Sequence, residues 1–281
     1  FLVRQKSDLI LLQETFLTEE LREVVDKEWV GTTLHSFGSA HSRGVTILIK
    51  KNVTVQTSLI HSSSDGRLII VKVDAGDIKL LLINVYAPTE KKSKDGFYKY
   101  VHNCIQNTEN IDSHKLIIGG DFNCINNASL DTVGCKSVYK RPKEFVNLIE
   151  KHSLADIWRK MHREVKQFTY RNKYLKMASR IDFWLVQNSL TDFVQQTNIK
   201  PVSMCPDHCA ITIVINISDV SKGPSYWKLN NSLLQNEAYK KGFRNVIQNV
   251  KLEYKFDNSS QYKWDMCKLK MKFKLKFNEV M

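Results

Sequence analysis

The stretch HKLIIGGDFNCI, residues 114–125, decides how this chain is interpreted. An apolar run from Leu116 to Ile118 is followed by two glycines, and the chain then presents Asp121 and Asn123 on either side of Phe122. The apolar run is typical of a buried strand. Taken alone, the glycines and the polar residues after them fit a simple turn. The alternative is that the strand carries a carboxylate and an amide into a functional site.

Four other apolar strands have polar side chains of similar kinds at one end. They are Glu14 after LILLQ, Asn84 and Tyr86 in LLLINVYAP, Arg180 and Asp182 in SRIDFWLV, and Asp207 and His208 before CAITIVI. Each has an ordinary explanation. Glu14 fits a junction between a strand and a helix, and Tyr86 fits an aromatic that packs at a rim. Arg180 and Asp182 fit a surface ion pair worth less than ~1 kcal/mol.

Asp207 fits a cap in the same way, and His208 fits a histidine with its hydrogen bonds satisfied. All five strand ends together favour a single pocket lined by carboxylates. Closely packed carboxylates repel one another unless a cation lies among them. Oxygen ligands favour a hard ion, so we expect Mg²⁺ or Mn²⁺.

The six cysteines do not form a zinc site in this interpretation. Cys205 and Cys209 flank Asp207 and His208, but the chain offers no second ligand pair at zinc spacing. Reduced thiols fit an intracellular protein, nuclear or cytoplasmic and not secreted.

The net charge of +13 is uneven, since residues 222–281 hold 13 Lys and Arg against 5 Asp and Glu. This tail mixes aromatic residues with lysine, as in KWDMCKLKMKFKLKFNEVM (263–281), which suits nucleic acid. The alternatives are a solvated amphipathic helix and, less favoured, a membrane surface. No apolar run is long enough to span a bilayer.

The hydrophobic pattern predicts an α+β fold, with two mainly antiparallel sheets packed face to face and helices outside. Predicted strands cover 8–14, 115–120, 179–186 and 209–217, and predicted hairpins cover 44–60, turning at Lys51-Asn52, and 67–88, turning at Ala75-Gly76. Predicted helices cover 18–29, 95–108 and 141–154. Gly223-Pro224 marks a boundary, with a domain at 1–220 and a basic helical segment at 221–281.

The motifs LQET, NVYAP, GGDFN, SRID and PDH, in this order, resemble the endonuclease/exonuclease/phosphatase superfamily. That resemblance implies the DNase I-like fold, a four-layer α/β sandwich. A narrower resemblance is to the endonuclease domain of LINE-type non-LTR retrotransposon polyproteins. It is carried by GPSYWKLNNSLL (223–234) and WDMCKLKMK (264–272), which resemble the segment leading toward the reverse transcriptase in such polyproteins.

The resemblance also implies a role for each matching residue. Glu14 and Asp207 would be metal ligands, and Asp121 would orient or deprotonate the attacking water. Asn123, Tyr86 and Thr169 of FTY would contact the phosphate. His208 would donate to a phosphate oxygen while Asp207 fixes its tautomer, and Asp182 would be a further carboxylate of the same rim.

The chain departs from the family pattern in two places. The family carries an Asn on a strand before LQET, and none of the 13 residues before Glu14 reads as that strand, so we expect a domain truncated at its first strand. Pro206 stands where the family commonly has a serine before Asp-His. The chain also shows no FADD-type reverse-transcriptase motif.

From this resemblance we expect a Mg²⁺-dependent endonuclease that nicks one DNA strand and leaves a 3′ hydroxyl to prime reverse transcription. Its partners would be DNA and, through the basic tail, the element's RNA. We expect a monomer that does not bind membranes. The alternatives are another superfamily phosphodiesterase or phosphatase, and a retroelement remnant that only binds nucleic acid.

Overall fold

The structure is a computed structural model, and it describes residues 2, 7–76, 78–134, 140–172, 174, 176–203, 205–216, 235, 237–253, 263, 266 and 267. The chain divides into two compact units, Phe1–Gly223 and Pro224–Met281. The predicted boundary at Gly223-Pro224 and the motif segments 223–234 and 264–272 lie wholly or mostly outside the described residues.

The strands of the described residues all belong to the first unit. In chain order they are β1 (Leu9–Gln13), β2 (Gly31–Ser36), β3 (Val45–Lys50), β4 (Gln56–Ser62), β5 (Leu68–Ala75), β6 (Ile78–Tyr86), β7 (Lys115–Asp121), β8 (Thr132–Val133), β9 (Leu154–Asp156), β10 (Tyr170–Asn172), β11 (Met177–Ser179), β12 (Asp182–Gln187), β13 (Val194–Val202) and β14 (Cys205–Ile215). The α-helices are α1 (Arg22–Glu28), α2 (Lys91–Gln106), α3 (Lys143–Lys151), α4 (Ile157–Met161) and, in the second unit, α5 (Glu237–Glu253). Short 3₁₀ helices cover Glu19–Leu21, Ile111–Ser113 and Asn188–Phe193.

The largest sheet has six strands in the order β4-β5-β6-β7-β12-β9. β6 and β7 run parallel and are joined through α2, while the other neighbours in this sheet are antiparallel. A three-stranded sheet (β1-β3-β2) and a five-stranded sheet (β13-β14-β10-β11-β8) complete the unit. Mixed sheets flanked by helices confirm the predicted α+β sandwich.

Side chains on the two faces of the large sheet pack into two separate cores. Alternate strand residues point to opposite faces, so Ile70 and Ile118 pack with α2 and α3, whereas Ile69 and Ile117 pack with β3. The core on the helix side includes Phe97, Tyr98, Val101, Ile105, Phe145 and Leu148. The core between the sheets includes Val45, Ile47 and Ile49. This second core holds the sheets face to face, which brings their strand ends together.

The hairpin predicted for 44–60 is wrong, because its two halves belong to different sheets. β3 pairs with β1 and β2, whereas β4 pairs with β5. The alternating pattern indicated both strands correctly, but it carried no information on their partners. The hairpin at 67–88 is confirmed, since β5 and β6 pair in register from Leu68↔Val85 to Ala75↔Ile78.

The single strand predicted over 179–186 is two strands, β11 and β12, which belong to different sheets.

In the second unit, α5 carries apolar residues at Phe243, Val246, Ile247 and Val250, the spacing of one helix face, and they cluster with Met266 and Cys267. Among the described helices, none has the length and apolar character needed to cross a bilayer.

Candidate active site

Three of the predicted site residues are neighbours at one end of the large sheet. In the parallel pairing of β6 with β7, Tyr86 lies opposite Asp121, and in the antiparallel pairing of β12 with β7, Asp182 lies opposite Asp121. Tyr86 packs against the core between the sheets, and so does Trp184, which lies two residues after Asp182 on the same face of β12. The three side chains therefore point from the large sheet toward the sheets packed against it. The pairing therefore sets a phenol and two carboxylates side by side.

The Gly-Gly pair does not turn the chain, because β7 continues through it to Asp121. A Cβ on Gly119 would lie 2.5 Å from the ring of Trp184, and one on Gly120 would lie 2.0 Å from the carbonyl oxygen of Val85. Gly120 also has a φ of +137°, which disfavours other residues. The glycines allow the neighbouring strands to approach β7 at the point where it delivers Asp121.

The five-stranded sheet contributes His208 from β14, and this residue completes a compact cluster. One ligand atom each from Asp121, Asp182 and His208 lies within 4.8 Å of the others. Nδ1 of His208 is 3.1 Å from Oδ2 of Asp182, and the ring of Tyr170 lies beside the imidazole with centroids 5.0 Å apart. Both carboxylates are buried, so their mutual repulsion is poorly screened by water.

The partner of His208 differs from the predicted one. The resemblance implied that Asp207 fixes the tautomer of His208, but the hydrogen bond goes to Asp182, while Asp207 is exposed. Neighbouring residues on a strand point to opposite faces, which separates the side chains of Asp207 and His208. Asp207 acts on His208 through its charge, as one of the groups that raise the His208 pKa.

The protonation of the cluster reflects its crowding. Burial raises the pKa of Asp121 well above its usual range, and the charge of Asp182 raises it further, while His208 opposes the shift. Burial alone would lower the pKa of His208, but the hydrogen bond to Asp182 and the surrounding carboxylate charges raise it to about 9. The site therefore favours an imidazolium that can donate from Nε2.

Glu14 joins the site through Tyr86. It follows β1 with a φ of 51°, and its carboxylate accepts a hydrogen bond from the Tyr86 hydroxyl. Burial raises the pKa of Tyr86, and the hydrogen bond and charge of Glu14 raise it further, so the phenol keeps its proton. The charge of Glu14 is also among the groups that raise the pKa of Asp121. The structure thus brings Glu14, Tyr86, Asp121, Asp182 and His208 together.

Asn123 is held in a left-handed conformation with a φ of 47°. Its backbone N–H donates to Oδ1 of Asp121 at 2.7 Å, and Nδ2 donates to the carbonyl of Ala87 at 2.8 Å and to Oδ2 of Asp121 at 3.1 Å. The amide therefore lies next to the Asp121 carboxylate, as the D-F-N spacing predicts. Its role toward phosphate stays a prediction.

Thr169 does not offer the exposed hydroxyl that a phosphate contact needs. It is fully buried, and its Oγ1 accepts hydrogen bonds from the backbone N–H groups of Ile181 and Asp182 at 3.0 and 3.1 Å. The role implied by the resemblance is therefore corrected. Thr169 positions the first residues of β12, and with them Asp182.

Arg180 is also buried rather than part of a surface ion pair. Its guanidinium forms hydrogen bonds of 2.6 to 3.0 Å with the carboxylates of Asp131 and Asp156. Asn84 is likewise fully buried, and its Nδ2 donates to the carbonyls of Leu12 and Thr46. Arg180 therefore ties together the segments that hold Asp131 and Asp156, and Asn84 links the large sheet to the three-stranded sheet.

Two residues that the sequence did not single out also contact the site. Arg67 donates from Nη1 to the carbonyl of Tyr86 at 3.1 Å, and its guanidinium lies 5.1 Å from the centre of the Tyr86 ring. Lys94 of α2 donates from Nζ to the backbone carbonyl of Asn123. Neither is distinguishable in the sequence from a surface cation, since only the placement of α2 and β5 against the site selects them.

The donor set fits a divalent cation. Asp121 and Asp182 supply two buried carboxylates whose repulsion a cation would relieve, and His208 lies within the same 4.8 Å. Glu14 and Asp207 lie outside this compact set of described residues. Their predicted role as metal ligands stays a prediction.

Comparisons with known proteins agree with the fold and the motifs. Residues 80–212 match the family model described as endonuclease-reverse transcriptase. The chain is 31% identical over 268 residues to the transposon TX1 uncharacterized 149 kDa protein of Xenopus laevis, covering 93% of this chain and 20% of that protein. The chain thus spans about a fifth of the length of this curated relative.

Solved structures share the fold. The 3′-5′ exonuclease NExo of Neisseria meningitidis superposes with a TM-score of 0.61 at 20% identity, covering 76% of this chain and 91% of that one. An AP endonuclease of Archaeoglobus fulgidus gives a TM-score of 0.60 at 19% identity, covering 75% and 90%. A Neisseria 3′ phosphatase NExo variant bound to product DNA hairpin also gives 0.60 at 19% identity, covering 76% and 91%.

Proposed function

We propose that this chain, as a member of the endonuclease/exonuclease/phosphatase superfamily with the DNase I-like fold, hydrolyses phosphodiester bonds in DNA. The observation that carries the proposal is the convergence of Asp121, Asp182 and His208 within 4.8 Å, with the Glu14–Tyr86 pair beside them. Acid, imidazole and phenol groups from three sheets meet at one rim, which a purely structural network would not require.

The residues supply the groups that phosphodiester hydrolysis needs. Asp121, whose pKa is raised by burial and by Asp182, can accept a proton from an attacking water. His208 can donate from Nε2 to a phosphate oxygen while Asp182 holds Nδ1. Tyr86 and Asn123 both lie next to Asp121. To donate to the phosphate, the Tyr86 hydroxyl would exchange its hydrogen bond to Glu14, and the Asn123 amide would exchange one of its two hydrogen bonds, to Ala87 or to Asp121.

Asp121 and Asp182 would hold the divalent ion through their carboxylates, with Glu14 at the side of Tyr86 and the His208 imidazolium beside them as a donor rather than a ligand. When bound, Mg²⁺ would offset the negative charge that develops on the phosphate oxygens. Asp182 then has two tasks, since it also holds His208 in place.

The relatives narrow the substrate within the proposal. The family model is named for endonucleases linked to reverse transcriptases, and the Xenopus relative is a transposon protein. A solved structure with this fold holds product DNA. We therefore propose that the chain nicks one DNA strand and leaves a 3′ hydroxyl for reverse transcription. The basic segment 222–281 would contact DNA or the element's own RNA.

A nicking assay on supercoiled plasmid tests the proposal. We expect open circles with Mg²⁺, none with EDTA, and a loss on the order of 10²-fold or more in Asp121→Asn. Asp192→Asn is the matched control, because that carboxylate is 94% exposed in an ion pair away from the cluster. Plasmid binding without nicking by the unaltered protein would overturn hydrolysis in favour of a binding remnant. Release of phosphate from inositol lipids without DNA cleavage would overturn the assignment of DNA as substrate.

A further inference from the structure

Helix α2 reaches the active site through two donors that lie one turn apart. Nζ of Lys94 donates to the backbone carbonyl of Asn123, and the hydroxyl of Tyr98 donates to the carbonyl of Phe122. Residues four apart lie on the same face of a helix, so one face of α2 binds two consecutive carbonyls of the D-F-N segment. Lys94 and Asn123 are 29 positions apart in the sequence, and Tyr98 and Phe122 are 24 positions apart.

The two carbonyls need partners because they come directly after the sheet ends. β7 ends at Asp121, so the carbonyl of Asn123 has no place in the strand ladder. A backbone carbonyl without a partner costs about 1–3 kcal/mol when it is removed from water. Lys94 supplies this partner from a half-buried position, whereas Lys92 and Lys99 of the same helix are exposed.

Asn123 depends on such partners because its backbone lies in the left-handed region, which residues other than glycine adopt uncommonly. A non-glycine residue at a φ of 47° is held there by its surroundings. Its N–H is bonded to Asp121 and its Nδ2 to Ala87 and Asp121. The bond from Lys94 fixes the carbonyl, so that three polar groups of the residue are held at once.

We propose that Lys94 is a positioning residue, which fixes the backbone of Asn123 and thereby aims the Asn123 amide and the Asp121 carboxylate at the phosphate. The inference rests on the proposed function for its effect on catalysis, but not for its effect on the segment. Misplacing a reacting group by about 1 Å costs up to about 10²-fold in rate. A cation bonded to a carbonyl at this point therefore affects the chemical step without touching the substrate.

Three variants test the proposal in the full chain. Lys94→Met removes Nζ and keeps the apolar stem, Lys94→Arg keeps a cationic donor, and Lys99→Met removes an exposed lysine of the same helix. In plasmid nicking we expect kcat to fall about tenfold to 10²-fold in Lys94→Met with KM little changed. We expect Lys94→Arg to recover most of that loss and Lys99→Met to show none.

Amide hydrogen exchange provides a readout that does not need activity. We expect faster exchange at the Asn123 and Cys124 amides in Lys94→Met, and unchanged exchange there in Lys99→Met. Unchanged kcat and unchanged exchange in Lys94→Met would overturn the proposal. The proposal would also be overturned if Lys94→Met raised KM and left kcat unchanged, and if the slope of log K for DNA binding against log salt concentration fell by about one. Lys94 would then be a phosphate contact. Faster exchange in a protein that nicks no DNA would sustain the positioning role and refute the proposed function.

Discussion

The imidazole of His208 is bonded to a carboxylate 26 residues away and not to its neighbour in the chain, since its Nδ1 lies 3.1 Å from Oδ2 of Asp182. This pair joins the two sheets, because Asp182 begins β12 of the large sheet and His208 lies on β14 of the five-stranded sheet. The packing of the sheets therefore sets the charge state of the histidine. The first prediction concerns that charge.

Asp182→Asn should lower the pKa of His208 from about 9 toward its usual value near 6.5. The substitution removes both the hydrogen bond to the carboxylate and the charge that raise it. Because the pKa is raised in the folded state, the pair contributes stability below pH 6.5 that is lost as the pH rises through about 9. NMR titration of the His208 ring in metal-free protein measures the shift. Asp207→Asn should move the pKa less, and an equal shift in the two variants would contradict the geometry.

The second prediction concerns Thr169, whose hydroxyl accepts two backbone N–H groups at the start of β12. Thr169→Val should lower the free energy of unfolding by about 2–3 kcal/mol, because two buried donors lose their partner. Nicking activity should fall together with stability, because Asp182 is one of the two residues whose backbone N–H the Thr169 hydroxyl holds. Urea denaturation measures the stability.

Thr169→Ser is the matched control for this position, because it keeps the hydroxyl and loses only a methyl group. It should retain both hydrogen bonds and most of the nicking activity. If Thr169→Val instead weakened DNA binding while stability stayed unchanged, Thr169 would be the phosphate contact that the resemblance implied.

Most of the strands, and the polar residues at their ends that the structure brings together, could be predicted from the sequence because both depend on local pattern. Apolar runs mark β6, β7 and β12, and polar residues at their ends mark the rim. The partners could not be predicted, because they depend on how distant strands pair. Lys51-Asn52 looks like a hairpin turn, yet β3 and β4 enter different sheets.

The same limit applies to single side chains. Asp207 precedes His208 in the sequence, but the alternation of the strand separates them and the packing of the sheets brings Asp182 to His208. Lys94 stands in a run of lysines, and only the placement of α2 against β7 shows which of them is half-buried.

The third prediction concerns Arg180, a fully buried cation held between Asp131 and Asp156. Arg180→Met should lower the free energy of unfolding by about 3–5 kcal/mol, because it leaves two buried carboxylates without their main cation. Thermal and urea denaturation measure the loss. Arg22→Met is the matched control, since Arg22 is 54% exposed in its ion pairs with Glu19 and Asp26 and should contribute less than ~1 kcal/mol. Similar losses in the two variants would show that burial does not determine how much the Arg180 network contributes to the free energy of unfolding.

The last prediction is a pH dependence of stability between α2 and α3, where Nδ1 of His102 lies 2.9 Å from Nε2 of His152. Burial lowers the pKa of His152, and the charges of His102 and Lys151 lower it further, to about 4. Between pH 6.5 and 4 the unfolded chain therefore binds more protons than the folded one. The free energy of unfolding should fall by up to about 3 kcal/mol as the pH drops through this range. His152→Gln should flatten the slope in urea denaturation measured from pH 7 to pH 4, whereas the exposed His41→Gln should leave it unchanged. A slope that persists in His152→Gln would assign the acid sensitivity to other groups.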